Sequence, residues 1–270
     1  MSRPSEIVTA VYLTAVRHAK GISQWQAARA AGLSLRALRR LEEGGAVDPG
    51  TAADLMRVYG FTAESGIDAV RSLLDPRAGC GSMRLDEGAG NRDRLTAWEQ
   101  AAHRIRMWSA MLIPDLLQTP AYAKAVVRHA RLYFVPGQVP LGLRGLSADG
   151  PRVSLLLDEA VLERPVGGYA VMAGQLRHLC QLIRCGAATV RIVPFESRVL
   201  GPGDHLAELH LRRRPCLVVD EAIGIHYVDT CEGRTQLQAS LDEVEAAAVP
   251  ARESYQWLVR AQASFDAHRA

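Results

Sequence analysis

Three arginines carry the sharpest chemistry in this sequence. They lie in Gly32-Leu-Ser-Leu-Arg-Ala-Leu-Arg-Arg-Leu-Glu-Glu-Gly44, where Ser34 is placed to accept a backbone N–H bond as a helix N-cap and Gly44 or Gly45 to end the helix in a left-handed conformation. Arg36 and Arg40, four residues apart, share the outward face of such a helix, with Arg39 beside them, while Leu38 and Leu41 fall on the inward face. A guanidinium is a planar fork of N–H donors, able to give two parallel hydrogen bonds to guanine N7 and O6. A two-turn helix with a leucine underside and an arginine outer side suits a groove of double-stranded DNA.

Other candidate chemistry lies further along. Asp158 and Glu159 end an apolar run, where a carboxylate serves as acid, base or ligand anchor, but neighbours on a strand point to opposite faces. As structural groups they would cap the next turn or pair with Arg164. Gln118, Tyr122 and Tyr227 add polar groups that, with the two carboxylates, form a candidate ligand pocket in the second half of the chain. Gly167-Gly168 precedes a helix without the third glycine of a dinucleotide loop. Cys180 and Cys185, near His178, lack the second close pair that a four-ligand metal set needs, so no metal is expected. The eight histidines show no H-E-x-x-H spacing and no serine sits in a nucleophile elbow. The expectation is therefore no catalytic residue and no cofactor.

The arginine helix needs a scaffold. Ser23-Gln24-Trp25-Gln26 has the pattern of a capping box, opening a second short helix through Ala31, with Gly32 permitting a tight turn between the two. Helix, glycine turn and helix is the helix-turn-helix arrangement, whose second helix enters the major groove while the first crosses the backbone. Val8, Val11, Tyr12, Ala15 and Val16 at helical spacing predict a helix before it, and Pro49 to Tyr59 and Ala63 to Leu74 predict two after it. Residues 1–75 thus read as an all-α DNA-binding domain, although they hold nine Lys/Arg against eight Asp/Glu. Local clustering, not total charge, carries the signal.

Residues 76–91, rich in glycine and charge after Asp75-Pro76, read as a linker, leaving 92–270 for a second domain. There the pattern predicts helices over Arg92–Met107 and Pro120–Tyr133, an irregular stretch over 134–152, and a strand at Val153–Asp158. A helix over Tyr169–Arg184 and a strand at Thr189–Pro194 follow. Strand-like runs at Leu206–Leu211, Cys216–Val219 and Ile225–Val228 precede a last helix or pair of helices over Thr235–Phe265, and Arg212-Arg213-Arg214 marks an exposed turn. One βαβ crossover followed by antiparallel strands defines an α+β, mixed-sheet fold.

Composition bounds the rest. The 270 residues carry a net charge of +3, enough chain for two modest domains and too little charge for a nucleic-acid coat. No apolar run approaches the ~20 residues that cross a bilayer, and the opening Met-Ser-Arg-Pro-Ser-Glu lacks an apolar signal core, so a cytoplasmic protein with no membrane partner is expected. Five scattered cysteines fit reduced thiols.

Residues 7–61 resemble a Cro/repressor-type (XRE-like) helix-turn-helix domain. The resemblance places Arg36 and Arg40 at base-contacting positions and Leu35 at another, where it would touch a thymine methyl. It gives Gln24 and Ser34 to the phosphate backbone, and Arg17 and Glu42 to a buried structural ion pair. A second resemblance rests on Leu112-Ile-Pro-Asp-Leu-Leu-Gln-Thr119 with Tyr122, Leu157-Asp-Glu-Ala-Val-Leu-Glu-Arg-Pro-Val-Gly-Gly168, Gln175-Leu176 and Val190-Arg-Ile-Val-Pro194. These look like the C-terminal domain, of unassigned function, in actinobacterial toxin–antitoxin-like regulators. In place of the Arg/Gln-rich helix usual there, this chain has Pro136-Gly-Gln-Val-Pro-Leu-Gly-Leu-Arg-Gly145. The expectation is a sequence-specific, homodimeric transcriptional regulator whose second domain dimerises or receives a signal. The rivals are an antitoxin-like protein that binds a small protein partner, and a sensor or enzyme for a small-molecule effector.

Overall fold

The computed structural model describes residues 3–75, 83–129, 150–211, 214–221, 224–228 and 231–268. The chain divides into two compact units: Met1–Ala101 with Val135–Leu143 and Ile223–Arg234, and Ala102–Phe134 with Arg144–Ala222 and Thr235–Ala270.

In the first unit, helices α1 (Pro4–Ala19), α2 (Gln24–Ala30), α3 (Leu35–Glu42), α4 (Pro49–Val58) and α5 (Glu64–Leu74) follow one another. Their ends are chemically marked. Ser23 and Gln26 close a reciprocal capping box on α2, Ser34 Oγ accepts from Ala37 N at 3.1 Å, and Asp48 Oδ1 accepts from Thr51 N at 2.9 Å. One core gathers Leu13 and Val16 from α1, Leu38 and Leu41 from α3, Leu55 and Met56 from α4, and Ile67, Val70 and Leu74 from α5. Burying nine such side chains supplies the tertiary stabilisation that seven- and eight-residue helices lack on their own.

That core does not stop at residue 75. Strand β1 (Met83–Asp86) lies where a linker was expected, and α6 (Asn91–Ala101) sends Ala97 into the same cluster. The strand β7 (Gly224–Val228) pairs antiparallel with β1, Arg84 opposite Tyr227 and Asp86 opposite Ile225. Glycine and charge in 83–91 therefore serve a strand and a tight entry into α6: Arg94 Nε donates to Asp86 Oδ2 at 2.8 Å, Arg94 Nη1 to Ala89 O at 2.9 Å and Arg94 Nη2 to Gly88 O at 3.3 Å. Residues 76–82 of the expected linker lie outside the described ones.

The second unit holds a mixed sheet. Strand β2 (Arg104–Ser109) pairs parallel with β3 (Arg152–Asp158), which pairs parallel with β4 (Ala188–Val193). On its other edge β2 runs antiparallel to β5 (His205–Leu211), and β5 antiparallel to β6 (Arg214–Glu221). Between β2 and β3 come a 3-10 turn at Asp115–Leu117 and α7 (Pro120–His129); α8 (Ala160–Glu163) and α9 (Tyr169–Arg184) cross from β3 to β4. Helices α10 (Cys231–Ala247) and α11 (Ala251–Ala267) end the chain, α11 packing on both α9 and β4. The α+β, mixed-sheet class is as the sequence indicates.

The helix expected over Arg92–Met107 is instead α6 and β2. Arg104-Ile-Arg-Met alternates polar with apolar, and Ile105 and Met107 are fully buried on one face of the sheet, a period of two rather than 3.6. The expected irregular stretch 134–152 falls mostly outside the described residues, as do Arg212 and Arg213; Arg214, assigned to a turn with them, begins β6.

Polar groups tie the second unit together. Arg106, opposite Glu208 in the β2/β5 register, donates to it at 2.9 Å, and also to Asp242 and, at 3.0 Å, to Glu245 on α10. Burial pushes the Glu208 carboxyl up, but the Gln238 amide and Arg106 outweigh it and hold it below its ordinary value. At the outer edge of β4, Val249 N donates to Ile192 O at 2.8 Å and Ile192 N to Ser254 Oγ at 2.9 Å, while the Arg191 guanidinium donates to the carbonyls of Ala248 and Val249.

Candidate nucleic-acid interface

The helix pair α2–α3 is set by local backbone chemistry. Gly32, at φ +67°, takes the left-handed turn, and Leu33 N donates back to Ala28 O at 2.8 Å. After α3, Gly45 N donates to Arg40 O at 2.9 Å, and a Cβ on Gly45 would lie 2.6 Å from that same oxygen, so the turn requires glycine there.

On α3, Leu38 and Leu41 are buried whereas Arg36, Arg39 and Arg40 are exposed and Leu35 is half-buried. Arg36 and Arg40, with Leu33, Val47, Asp48 and Thr51, line an open groove of about 540 Å³ between α3 and the start of α4. Ser34, exposed, uses its hydroxyl to cap α3.

Beneath this surface lies a charged network. Arg17 Nε and Nη2 donate to the two oxygens of Glu42 at 2.5 and 2.9 Å, with side chains only 6% and 7% exposed, and Arg17 Nη1 donates to Ile22 O at 2.8 Å. This places the pair expected to join the first helix to the end of α3. Gln24, expected at a phosphate, is also held within the protein: its Nε2 donates to Glu42 Oε2 at 2.7 Å, and its Oε1 accepts from Arg39 Nε at 3.3 Å. Burial pushes the Tyr59 hydroxyl up to about 12, with Glu42 adding to the shift and Arg17 opposing it.

Sequence reasoning missed a surface pair on α2. Trp25 is 58% exposed, and the Arg29 guanidinium lies 5.2 Å from its ring centroid. The four-residue spacing of an aromatic and an arginine was the available signal.

The five residues of the candidate pocket are divided between the two units. Tyr227 belongs to the first unit, where it lies 3.4 Å from Asp86 and edge-on to Trp98. The other four belong to the second unit, where each meets a backbone group. Gln118 donates to Ile113 O at 2.7 Å, and buried Tyr122 accepts from Ile113 N at 3.3 Å. Asp158 accepts from Ala160 N at 2.8 Å and Glu159 from Phe195 N at 2.7 Å, while Arg164 donates to Met111 O. Both carboxylates hold turns together, and Arg164 reaches the Met111 carbonyl instead. Gln175, fully buried, accepts from Thr119 N at 2.6 Å and donates to Leu117 O at 2.8 Å. Cys180 is buried and Cys185 exposed; among the described residues no group of three His, Cys, Asp or Glu is arranged around a metal position. No helix among them is long and apolar enough to cross a membrane.

The first unit is thus built around a helix-turn-helix, and residues 10–65 match a family described as a helix-turn-helix domain. Residues 92–260 match a second family, described as a domain of unknown function (DUF5753). That match covers more than half of the chain, which belongs to this family. No curated protein and no solved structure matches it.

Proposed function

We propose that this protein is a sequence-specific, double-stranded-DNA-binding transcriptional regulator of the XRE-like kind, and that it acts as a homodimer. The observation that carries the reading is the division of α3: Leu38 and Leu41 anchor it in the core, while Arg36 and Arg40 extend from its outer face with no protein partner among the described residues. Two unengaged guanidinium forks four residues apart suit base edges, each contact being worth about 1–3 kcal/mol of discrimination. As a dimer, two copies of α3 would meet half-sites one helical turn, ~34 Å, apart on a near-palindrome. The second unit, together with the strand pair β1/β7, would supply self-association or signal reception in a cytoplasmic regulator.

The test is selection of bound duplexes from a random pool by the full chain, followed by titration of the recovered site with an Arg36→Ala/Arg40→Ala variant. A near-palindromic site, bound specifically by the parent and only non-specifically by the variant, is the expected result. Unchanged binding by the variant sinks the assignment.

A further inference from the structure

Resting on that reading, we infer that Gln24 is a positioning residue, which orients Arg39 toward a backbone phosphate through a hydrogen-bonded relay from the buried Arg17–Glu42 pair. The relay runs across three helices. Arg17 on α1 holds both oxygens of Glu42 on α3, Glu42 Oε2 also accepts from Gln24 Nε2 on α2 at 2.7 Å, and Gln24 Oε1 accepts from Arg39 Nε back on α3 at 3.3 Å. The amide orientation is fixed by its neighbours. A carboxylate can only accept and a guanidinium can only donate, so Gln24 must give its N–H to Glu42 and its oxygen to Arg39. A glutamine is the one uncharged side chain of this length that can do both.

The consequence is a division of labour on one helix. Arg36 and Arg40 have no such tether and are free to adapt to base edges. Arg39 is anchored through Nε, and an exposed arginine held in this way loses rotamer freedom before any ligand arrives. Its two Nη groups keep their N–H donors for an oxyanion. Arg39 is rotated off the Arg36/Arg40 face and tied to α2, the helix that crosses the phosphate backbone in this arrangement, so its ligand is a phosphate rather than a base. Gln24 has both amide atoms engaged within the protein and acts through Arg39.

A double-mutant cycle tests this, with the full chain, the duplex recovered by selection, and a scrambled duplex of equal length. Gln24→Met keeps the length and helix preference and removes both hydrogen bonds. It is expected to weaken binding to both duplexes about three- to tenfold, leaving their affinity ratio unchanged, and to have no further effect when Arg39 is already Met. Arg39→Met should also lower the slope of log affinity against log salt by about one. An undiminished Gln24→Met loss in the Arg39→Met background would mean that Gln24 holds the phosphate itself, and no loss in either background would mean that Arg39 needs no support; each overturns the relay. Thermal unfolding of each variant separates lost binding from lost fold, and Gln24→Asn, too short to span Glu42 and Arg39, must reproduce the loss should Gln24→Met unfold. If selection recovers no duplex, it is the DNA reading that has failed; if a duplex is recovered, the Arg36→Ala/Arg40→Ala variant is impaired on it and the cycle is additive, only the relay falls.

Discussion

Arg94 Nη2 lies 2.5 Å from Asp86 Oδ1, with both side chains 1% exposed, so the first unit carries a fully desolvated ion pair between α6 and β1. Breaking such a pair leaves a buried charge alone, whereas its net worth when intact is small. Asp86→Ala is expected to destabilise the unit by about 3–5 kcal/mol. The joint replacement Asp86→Leu/Arg94→Met should cost far less, apart from the carbonyls of Gly88 and Ala89 that Arg94 also serves. Urea unfolding followed by circular dichroism measures both. Equal losses in the single and joint variants would contradict this account.

Glu42 poses the same problem within the helix-turn-helix, with one difference: Arg17 keeps the Ile22 carbonyl when the carboxylate is removed. Glu42→Ala is expected to cost about 3 kcal/mol, the lower end of the range for a broken buried pair. Because Glu42 also holds Gln24, the variant should lose DNA affinity at temperatures where circular dichroism shows it still folded.

Asp93 gives the first unit a pH dependence of known sign. Burial pushes its carboxyl up to about 6, against the pull of the Arg94 guanidinium. It lines a small crevice with Tyr12, Met56 and Phe61. Since the folded-state value lies above the ~3.9 of an unfolded aspartate, the folded chain binds the proton more tightly, and this group lowers stability as pH rises from about 4 to about 6. Asp93→Asn should therefore be more stable than the parent at pH 7–8, on the order of 1 kcal/mol after screening, and equal to it near pH 4. Melting temperatures of the two proteins across pH 4–8 provide the check; a gap that does not vary with pH would contradict it. Glu208 titrates in both proteins and cancels in the comparison.

In the second unit, Gln175 is the staple to remove. Its replacement by Leu strands Thr119 N and Leu117 O, at roughly 1–3 kcal/mol for each buried group left without a partner. Hydrogen exchange should quicken across residues 113–122 before the sheet strands respond. Uniform acceleration throughout the unit would show that the loop has no separate stability.

Much of the helix-turn-helix was legible because its signals are local: Ser23 with Gln26, Ser34, Gly32 and Gly44 mark helix ends within a few residues, and Leu38 and Leu41 mark the buried side. Arg104 to Met107 suits a helix in sequence because Leu95, Trp98, Ala102 and Ile105 also fall at helical spacing. Only pairing with β3 and β5, strands far along the chain, decides for a strand. The linker expectation failed similarly, since the partner of β1 comes some 140 residues later, at Gly224–Val228. Gln24 shows a third limit: side-chain type suggests a polar contact, and only three-dimensional placement reveals that its amide bridges Glu42 and Arg39.

The capped end of β4 restricts how this protein can meet its own kind. Val249 and Ser254 already occupy the amide and carbonyl of Ile192 that an incoming strand would need, and Arg191 pins the connection that carries them. Two copies therefore cannot prolong the sheet at Ile192 unless the α10–α11 corner first peels away, so that end of the strand is guarded against templating aggregates.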